Sequence, residues 1–273
     1  MMNEERLNLY FKRINWTPSN TEPTLSNLQT LQSHHTSTFP FENLNALLDI
    51  PILLDIDTLF HKMIIDKRGG YCYEQNVLFL KVLQSMNFKA RGLTGRVLLS
   101  GDPYPRRTHM LILVEIDNKF YLSDVGFGSA APCVPLSLTT DIIQASPYGN
   151  FKLTAKNEQF ILHSNYNNNW KPLYMFDLEE QSQKDFEVGN WFTSTNHTAH
   201  FKDELILSYK TNKCRYTLDN NIFSSYCLDG QTTKETLLSS QSIRKVMTEV
   251  FNIKLNNLPG LDQKLEILIN NNK

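Results

Sequence analysis

An arginine, two glycines and a tyrosine lead into Cys72 in Arg68-Gly69-Gly70-Tyr71-Cys72, and an apolar pattern of Val77, Leu78, Leu80, Val82, Leu83 and Met86 follows. The pattern places Cys72 near the start of a helix, behind a glycine pair whose backbone turns sharply and lets a ligand approach closely. Free N–H groups and the positive end of the helix dipole favour a thiolate there, the form that attacks a carbonyl. Free cysteine is also among the most buried residue types, so local sequence weighs a small core residue evenly against a nucleophile. Arg68 either adds positive charge or holds the turn by pairing with a carboxylate such as Glu42 or Glu74.

A base and an orienting carboxylate come from two strand-like segments, Thr108 to Ile116 and Lys119 to Val125, joined at Asp117-Asn118, a two-residue hairpin turn. If Ile116 pairs with Lys119, Asp124 faces Leu111 and His109 is its diagonal neighbour on the same face, within reach of an imidazole and a carboxylate. Such a pair on apolar strands is costly unless each satisfies the other. The carboxylate would fix the ring tautomer and leave the second nitrogen to take a proton from a thiol. Alone, His109 and Asp124 suit a structural pair in a barrel; with Cys72, a nucleophile, base and orienter explain all three. His34-His35 and His197 with His200 are weaker candidates. Arg106-Arg107 is either an exposed basic edge or a contact for a phosphate-bearing ligand.

The elements that must position these groups divide the chain into three regions. Apolar residues at helix spacing, Leu7, Tyr10, Phe11 and Ile14, then Leu25, Leu28 and Leu31, then Leu59, Phe60, Met63 and Ile64, predict a helical N-terminal third punctuated by Pro18, Pro23, Pro40 and Pro51. From about Ala90, short apolar runs separated by turn residues predict an antiparallel barrel or sandwich. After about Asp185, strand-like runs at Leu205 to Leu207 and Cys214 to Leu218 precede a helical stripe at Ile243, Val246, Met247, Val250 and Phe251. The Asn-rich stretches Asn167 to Asn169 and Asn270 to Asn272 suit a loop and a frayed terminus. The fold class expected is α+β.

Composition narrows the function classes. Hydrophobic residues make up 41% and charged residues 20% of 273, as in ordinary globular proteins. Lys and Arg number 27 against 28 Asp and Glu, which gives no electrostatic reason to expect nucleic acid or anionic membrane as partner. The first residues mix charges among the apolar positions, and no stretch approaches the ~18 apolar residues of a membrane span. Four cysteines, at 72, 133, 214 and 227, are too few and scattered for a disulfide framework and lack the paired spacing of a zinc site. A cytoplasmic protein with reduced thiols, no metal and a small-molecule substrate is expected.

Arg68-Gly69-Gly70-Tyr71-Cys72-Tyr73-Glu74-Gln75-Asn76 resembles the nucleophile motif of the arylamine N-acetyltransferases. Pro40-Phe41-Glu42-Asn43-Leu44, Thr108-His109, Asp124-Val125-Gly126-Phe127-Gly128, and Asp185 to Val188 with Asn190 to Thr195 match in order, so the resemblance covers most of the chain to about residue 205. Tyr73 stands where many relatives have Phe, and Asn196-His197 where a proline is common. The resemblance implies an N-terminal helical bundle (1–88) carrying the nucleophile, a central antiparallel β-barrel (89–185) carrying His and Asp, and a C-terminal α/β lid (186–273). It further implies a Cys72, His109 and Asp124 triad. Acetyl-coenzyme A would be the acyl donor in a ping-pong reaction, and arylamines, arylhydroxylamines or hydrazines the acceptors, in a monomer or homodimer with a role in xenobiotic metabolism. Gly126, Phe127 and Gly128 would border the acyl-donor cleft. Phe41, Tyr71, Phe127 and Phe201 would form the acceptor pocket, with Arg68 and Glu42 as structural supports. An amide synthase with a larger acyl donor, a thiol hydrolase or transglutaminase-like enzyme, and a catalytically silent binding protein are the competing possibilities.

Overall fold

The computed structural model describes residues 2–166 and 169–271. Helices α1 (Glu4–Arg13) and α2 (Leu25–Thr36) open the chain, each capped by a side chain that accepts from the first turn, Asn3 for α1 and Thr24 for α2. A two-residue strand β1 (Phe41–Glu42), a single turn α3 (Leu44–Leu47) and α4 (Ile56–Phe60) follow; α4 runs on as a π-helical turn over His61–Ile65. Helix α5 (Cys72–Ser85) is buried on nearly every face, from Cys72 to Leu83 except at Lys81, and so forms the axis of the N-terminal core.

The central sheet is antiparallel and consists of β2 (Lys89–Val97), β3 (Arg107–Ile116), β4 (Lys119–Ser123), β5 (Leu136–Ser137), β6 (Gln144–Ser146), β7 (Gly149–Lys156), β8 (Gln159–Tyr166) and β9 (Asn169–Phe176). Its order, β5-β4-β3-β2-β9-β8-β7-β6, curls into a nearly closed barrel around Leu93, Leu111, Leu122, Leu153, Leu162 and Tyr174. The Gln144 side chain bridges the two edges, accepting from the Ser137 N–H at 2.7 Å and donating to the Ser137 carbonyl at 2.9 Å.

Helix α6 (Gln183–Thr195) packs on β3 and leads to the second sheet, made by β10 (Ile206–Lys210), β11 (Cys214–Asp219), β12 (Ile222–Cys227) and β13 (Thr232–Thr236), with α7 (Ser240–Glu249) and α8 (Leu261–Asn271) beside it. β1 is the edge strand of this sheet, with Phe41 opposite Ser208 and Glu42 opposite Leu207. Leu44 and Leu47 sit in the same core as Leu207, Leu218, Met247 and Phe251, so the segment around Phe41 ties the N-terminal region to the second sheet. Among the described residues no helix is long and apolar enough to cross a membrane.

Two expectations change. Cys214 and Cys227, expected as reduced thiols, are joined by a disulfide because β11 and β12 place them directly opposite one another. Asn169 opens β9 and α8 continues through Asn271, so the Asn-rich stretches are regular there; Asn167, Asn168 and Asn272 lie outside the described residues.

Candidate active site

The hairpin holds the expected register, with Ile116 opposite Lys119 through Ile112 opposite Ser123. One residue later the chain leaves the ladder, and Asp124 turns into the barrel end. Its Oδ2 accepts from His109 Nε2 at 2.7 Å and from the Tyr174 hydroxyl at 2.9 Å. Its Oδ1 accepts from Asn76 Nδ2 at 3.1 Å and the Gly126 N–H at 2.9 Å. Asp124 is fully buried and His109 is 2% exposed. Burial alone would raise the Asp124 carboxyl, but the His109 charge and these hydrogen bonds hold it below its ordinary range. Burial likewise disfavours the imidazolium, yet the charge and hydrogen bond of Asp124, with Cys72 adding to them, raise His109 to about 10.

Cys72 is the first residue of α5 and 5% exposed, with Sγ 3.8 Å from the Thr108 carbonyl, next to His109. Close packing at two glycines sets its position. A Cβ on Gly69 would lie 2.0 Å from the Pro40 carbonyl oxygen. A Cβ on Gly126 would lie 2.7 Å from the Cys72 Cα and 2.6 Å from Asn76 Nδ2. The turn rests on a buried charge network. Arg68 Nε donates to Glu42 Oε1 at 2.9 Å, and the second Glu42 oxygen accepts from the Leu44 N–H at 2.9 Å. Lys62, on the π-helical turn, lies 3.5 Å from Glu42 and 2.7 Å from Glu74, whose other oxygen accepts from the Tyr71 N–H at 3.1 Å. Arg68 therefore pairs with Glu42, and Glu74 takes Lys62 instead. Burial alone would raise the carboxyl of Glu42, but the charges of Arg68 and Lys62 prevail and lower it. For Glu74 burial prevails, and its carboxyl is raised.

Cys72 and His109 open onto a cavity of about 1260 Å³ that also meets Gly126, Phe127, Gly128, Phe41 and Phe201. The Phe127 ring stands edge-on to His109 and to Tyr174, each at 4.8 Å between centroids. Tyr71 is fully buried and absent from the cavity wall; it packs edge-on behind Phe201 at 5.8 Å and hydrogen-bonds Asn190. Of the basic pair, Arg107 is held by Asp177, while Arg106 lines the cavity with its guanidinium 5.1 Å from the Phe192 ring. His35 is buried against the Tyr10 hydroxyl, and burial lowers it to about 3, whereas His200 lies at the cavity rim.

Sequence reasoning missed Tyr174 and Asn76 as partners of Asp124. Asn76 carried a signal, since it lies one helical turn after Cys72 on the same face; Tyr174 carried none.

A family model described as N-acetyltransferase matches residues 24–259. An arylamine N-acetyltransferase of Escherichia coli K12 is 36% identical over 249 residues, 90% of this chain and 88% of that one. The solved structure of the Salmonella typhimurium arylamine N-acetyltransferase superposes with a TM-score of 0.92 at 31% identity, covering 99% of this chain and 100% of that one. A Mycobacterium marinum arylamine N-acetyltransferase in complex with CoA superposes with a TM-score of 0.90 at 32% identity, covering 97% and 98%.

Proposed function

The chain belongs to the arylamine N-acetyltransferase family, and we propose that it carries an acetyl group from acetyl-coenzyme A to an arylamine, arylhydroxylamine or hydrazine by way of an acetyl-Cys72 intermediate. The observation that carries this is the opening of Cys72 and His109 onto one cavity large enough for a coenzyme and an aromatic acceptor, with the buried, hydrogen-bonded Asp124 behind His109. His109 holds the proton given up by Cys72, and Asp124 stabilises the imidazolium. The thiolate attacks the thioester carbonyl. N–H groups in the first turn of α5, which have no acceptor within the helix, stabilise the developing oxyanion. The C–S bond to coenzyme A breaks, and His109 returns the proton to the departing thiolate.

In the second half, the amine nitrogen attacks acetyl-Cys72, His109 takes the nitrogen proton, and the amide leaves as the Cys72–acyl bond breaks. Gly126, Phe127 and Gly128 border the donor cleft. Phe41, Phe127 and Phe201 form aromatic walls for the acceptor, with Tyr71 buttressing Phe201, and Arg68 and Glu42 fix the nucleophile turn.

Initial rates at varied acetyl-coenzyme A and several fixed arylamine concentrations test the order of events. Parallel double-reciprocal lines are expected. Intersecting lines, which require both substrates bound at once, would contradict the acyl-enzyme route.

A further inference from the structure

We propose that Cys214 and Cys227 form a reversible thiol–disulfide modification site, oxidised by low-molecular-weight disulfides of the glutathione class, that controls how tightly the neighbouring cleft holds the acyl donor. The proposal rests on the acyl-transfer function above for what the cleft binds.

The bridge joins the first residue of β11 to the last residue of β12, directly opposite in register with their Cα atoms 3.9 Å apart. Five further residue pairs, from Arg215 opposite Tyr226 to Asp219 opposite Ile222, hold the two strands together. The ladder therefore keeps the sulfurs within reach whether bonded or not, and the bond opens and closes without unfolding the lid. Both cysteines are half-buried, unlike the buried Cys133, so a small thiol can reach them.

The rung beside the bridge belongs to the cleft. Arg215 and Tyr226 both line the cavity, with the guanidinium 4.9 Å from the ring centroid. Arg215 Nη1 also donates to the Ser129 carbonyl at 3.3 Å, in the loop that follows Phe127-Gly128. A guanidinium stacked on an aromatic ring suits the phosphates and base of a nucleotide-bearing donor. The end rungs of a hairpin are the first to open. The disulfide closes the end rung next to this pair, and the adjoining turn is tied to the barrel by the Tyr148 hydroxyl, which donates to the Thr211 carbonyl at 2.6 Å.

In the oxidation, the thiolate of one cysteine attacks a sulfur of the small disulfide, forming a mixed disulfide and expelling one thiolate. The second cysteine attacks the mixed disulfide and expels the other. The two protons lost by the cysteines are taken up by the two small thiolates, and a dithiol reverses the exchange.

The test uses the full chain carrying Cys72→Ala, so that the nucleophile does not react with the redox buffer. The protein is equilibrated in oxidised or reduced glutathione, or in dithiothreitol, acid-quenched and alkylated, and the 214–227 pair is read by peptide mass. The affinity for acetyl-coenzyme A, whose acylated sulfur does not exchange with the redox buffer, is measured by calorimetry, and the mobility of β11 and β12 by amide hydrogen exchange. Reduction should weaken acetyl-coenzyme A binding about 5-fold, at the low end of typical couplings between sites, and speed exchange in β11 and β12. Replacing both cysteines, Cys214→Ser with Cys227→Ser, should fix both readouts at the reduced values in every buffer. A pair that stays bonded in dithiothreitol while the protein is folded, or affinity and exchange that are equal in the two states, would overturn the proposal. Absence of acetyl-coenzyme A binding in both states, with exchange still responding, would overturn the acyl-transfer function and leave the modification site standing.

Discussion

Asp124→Asn keeps the shape of the orienting residue and removes its charge, so it isolates what that charge does to His109. In the native site, burial opposes protonation of His109 and Asp124 outweighs it, holding the ring at about 10. Without the carboxylate charge, burial is opposed only by Cys72, and the ring falls towards its ordinary 6.5. A drop from about 10 to the ordinary 6.5 removes about 5 kcal/mol of preference for the imidazolium. In the proposed acyl-cysteine route the imidazolium forms as Cys72 gives up its proton, so that energy is a ceiling on the barrier increase. Some of it is spared because the side-chain amide of the variant still hydrogen-bonds the ring, and we expect the acetylation rate constant to fall about a thousandfold.

Single-turnover acetylation at saturating acetyl-coenzyme A, followed by rapid quench and intact-protein mass, measures it directly. The native rate should stay level through neutral pH and decline only as pH approaches about 10. The variant should already decline near pH 6.5. The same shifts set the sign for stability. The raised His109 contributes stability that is complete below its ordinary 6.5 and lost as pH rises through about 10. The lowered Asp124 contributes stability present above its ordinary 3.8 and lost as acid protonates it. A variant within tenfold of the native rate and with the native pH profile would refute the assignment of Asp124.

Tyr174→Phe removes one of the four donors to Asp124 and should cost about 1 kcal/mol in urea unfolding, with a several-fold slower acetylation. Gly126→Ala forces a methyl group against the Cys72 backbone and Asn76, so turnover should nearly vanish and stability fall by about 1–3 kcal/mol in the same unfolding assay. Arg68→Ala leaves Glu42 fully buried beside a more distant Lys62; thermal unfolding should show a loss of about 3–5 kcal/mol, whereas exposed Arg244→Ala should lose under about 1 kcal/mol.

The hairpin between His109 and Asp124 was legible in the sequence because a two-residue turn fixes the register of everything beyond it, and the observed ladder follows that register up to Ser123. The start of α5 at Cys72 was legible for a similar reason, since the glycine pair and the apolar pattern mark the same boundary. What stayed hidden depends on pairing between distant segments. Tyr174 reaches Asp124 across a separation of 50 residues, because β9 pairs with β2. Phe41-Glu42 became a strand of the second sheet only because β10 supplies its partner, with no local pattern to announce it. The disulfide followed from the β11–β12 register, which spacing alone did not reveal. Lys62, on the π-helical turn, reaches Glu74 12 residues further along the chain, in the next helix.

Intact-protein mass spectrometry after mixing with acetyl-coenzyme A alone tests the central claim most directly. The native chain should gain a single acetyl group, mapped to Cys72, that is lost on adding an arylamine, while Cys72→Ala gains none. An unmodified native chain, or an acetyl group that maps elsewhere and survives the amine, would contradict the acyl-cysteine account.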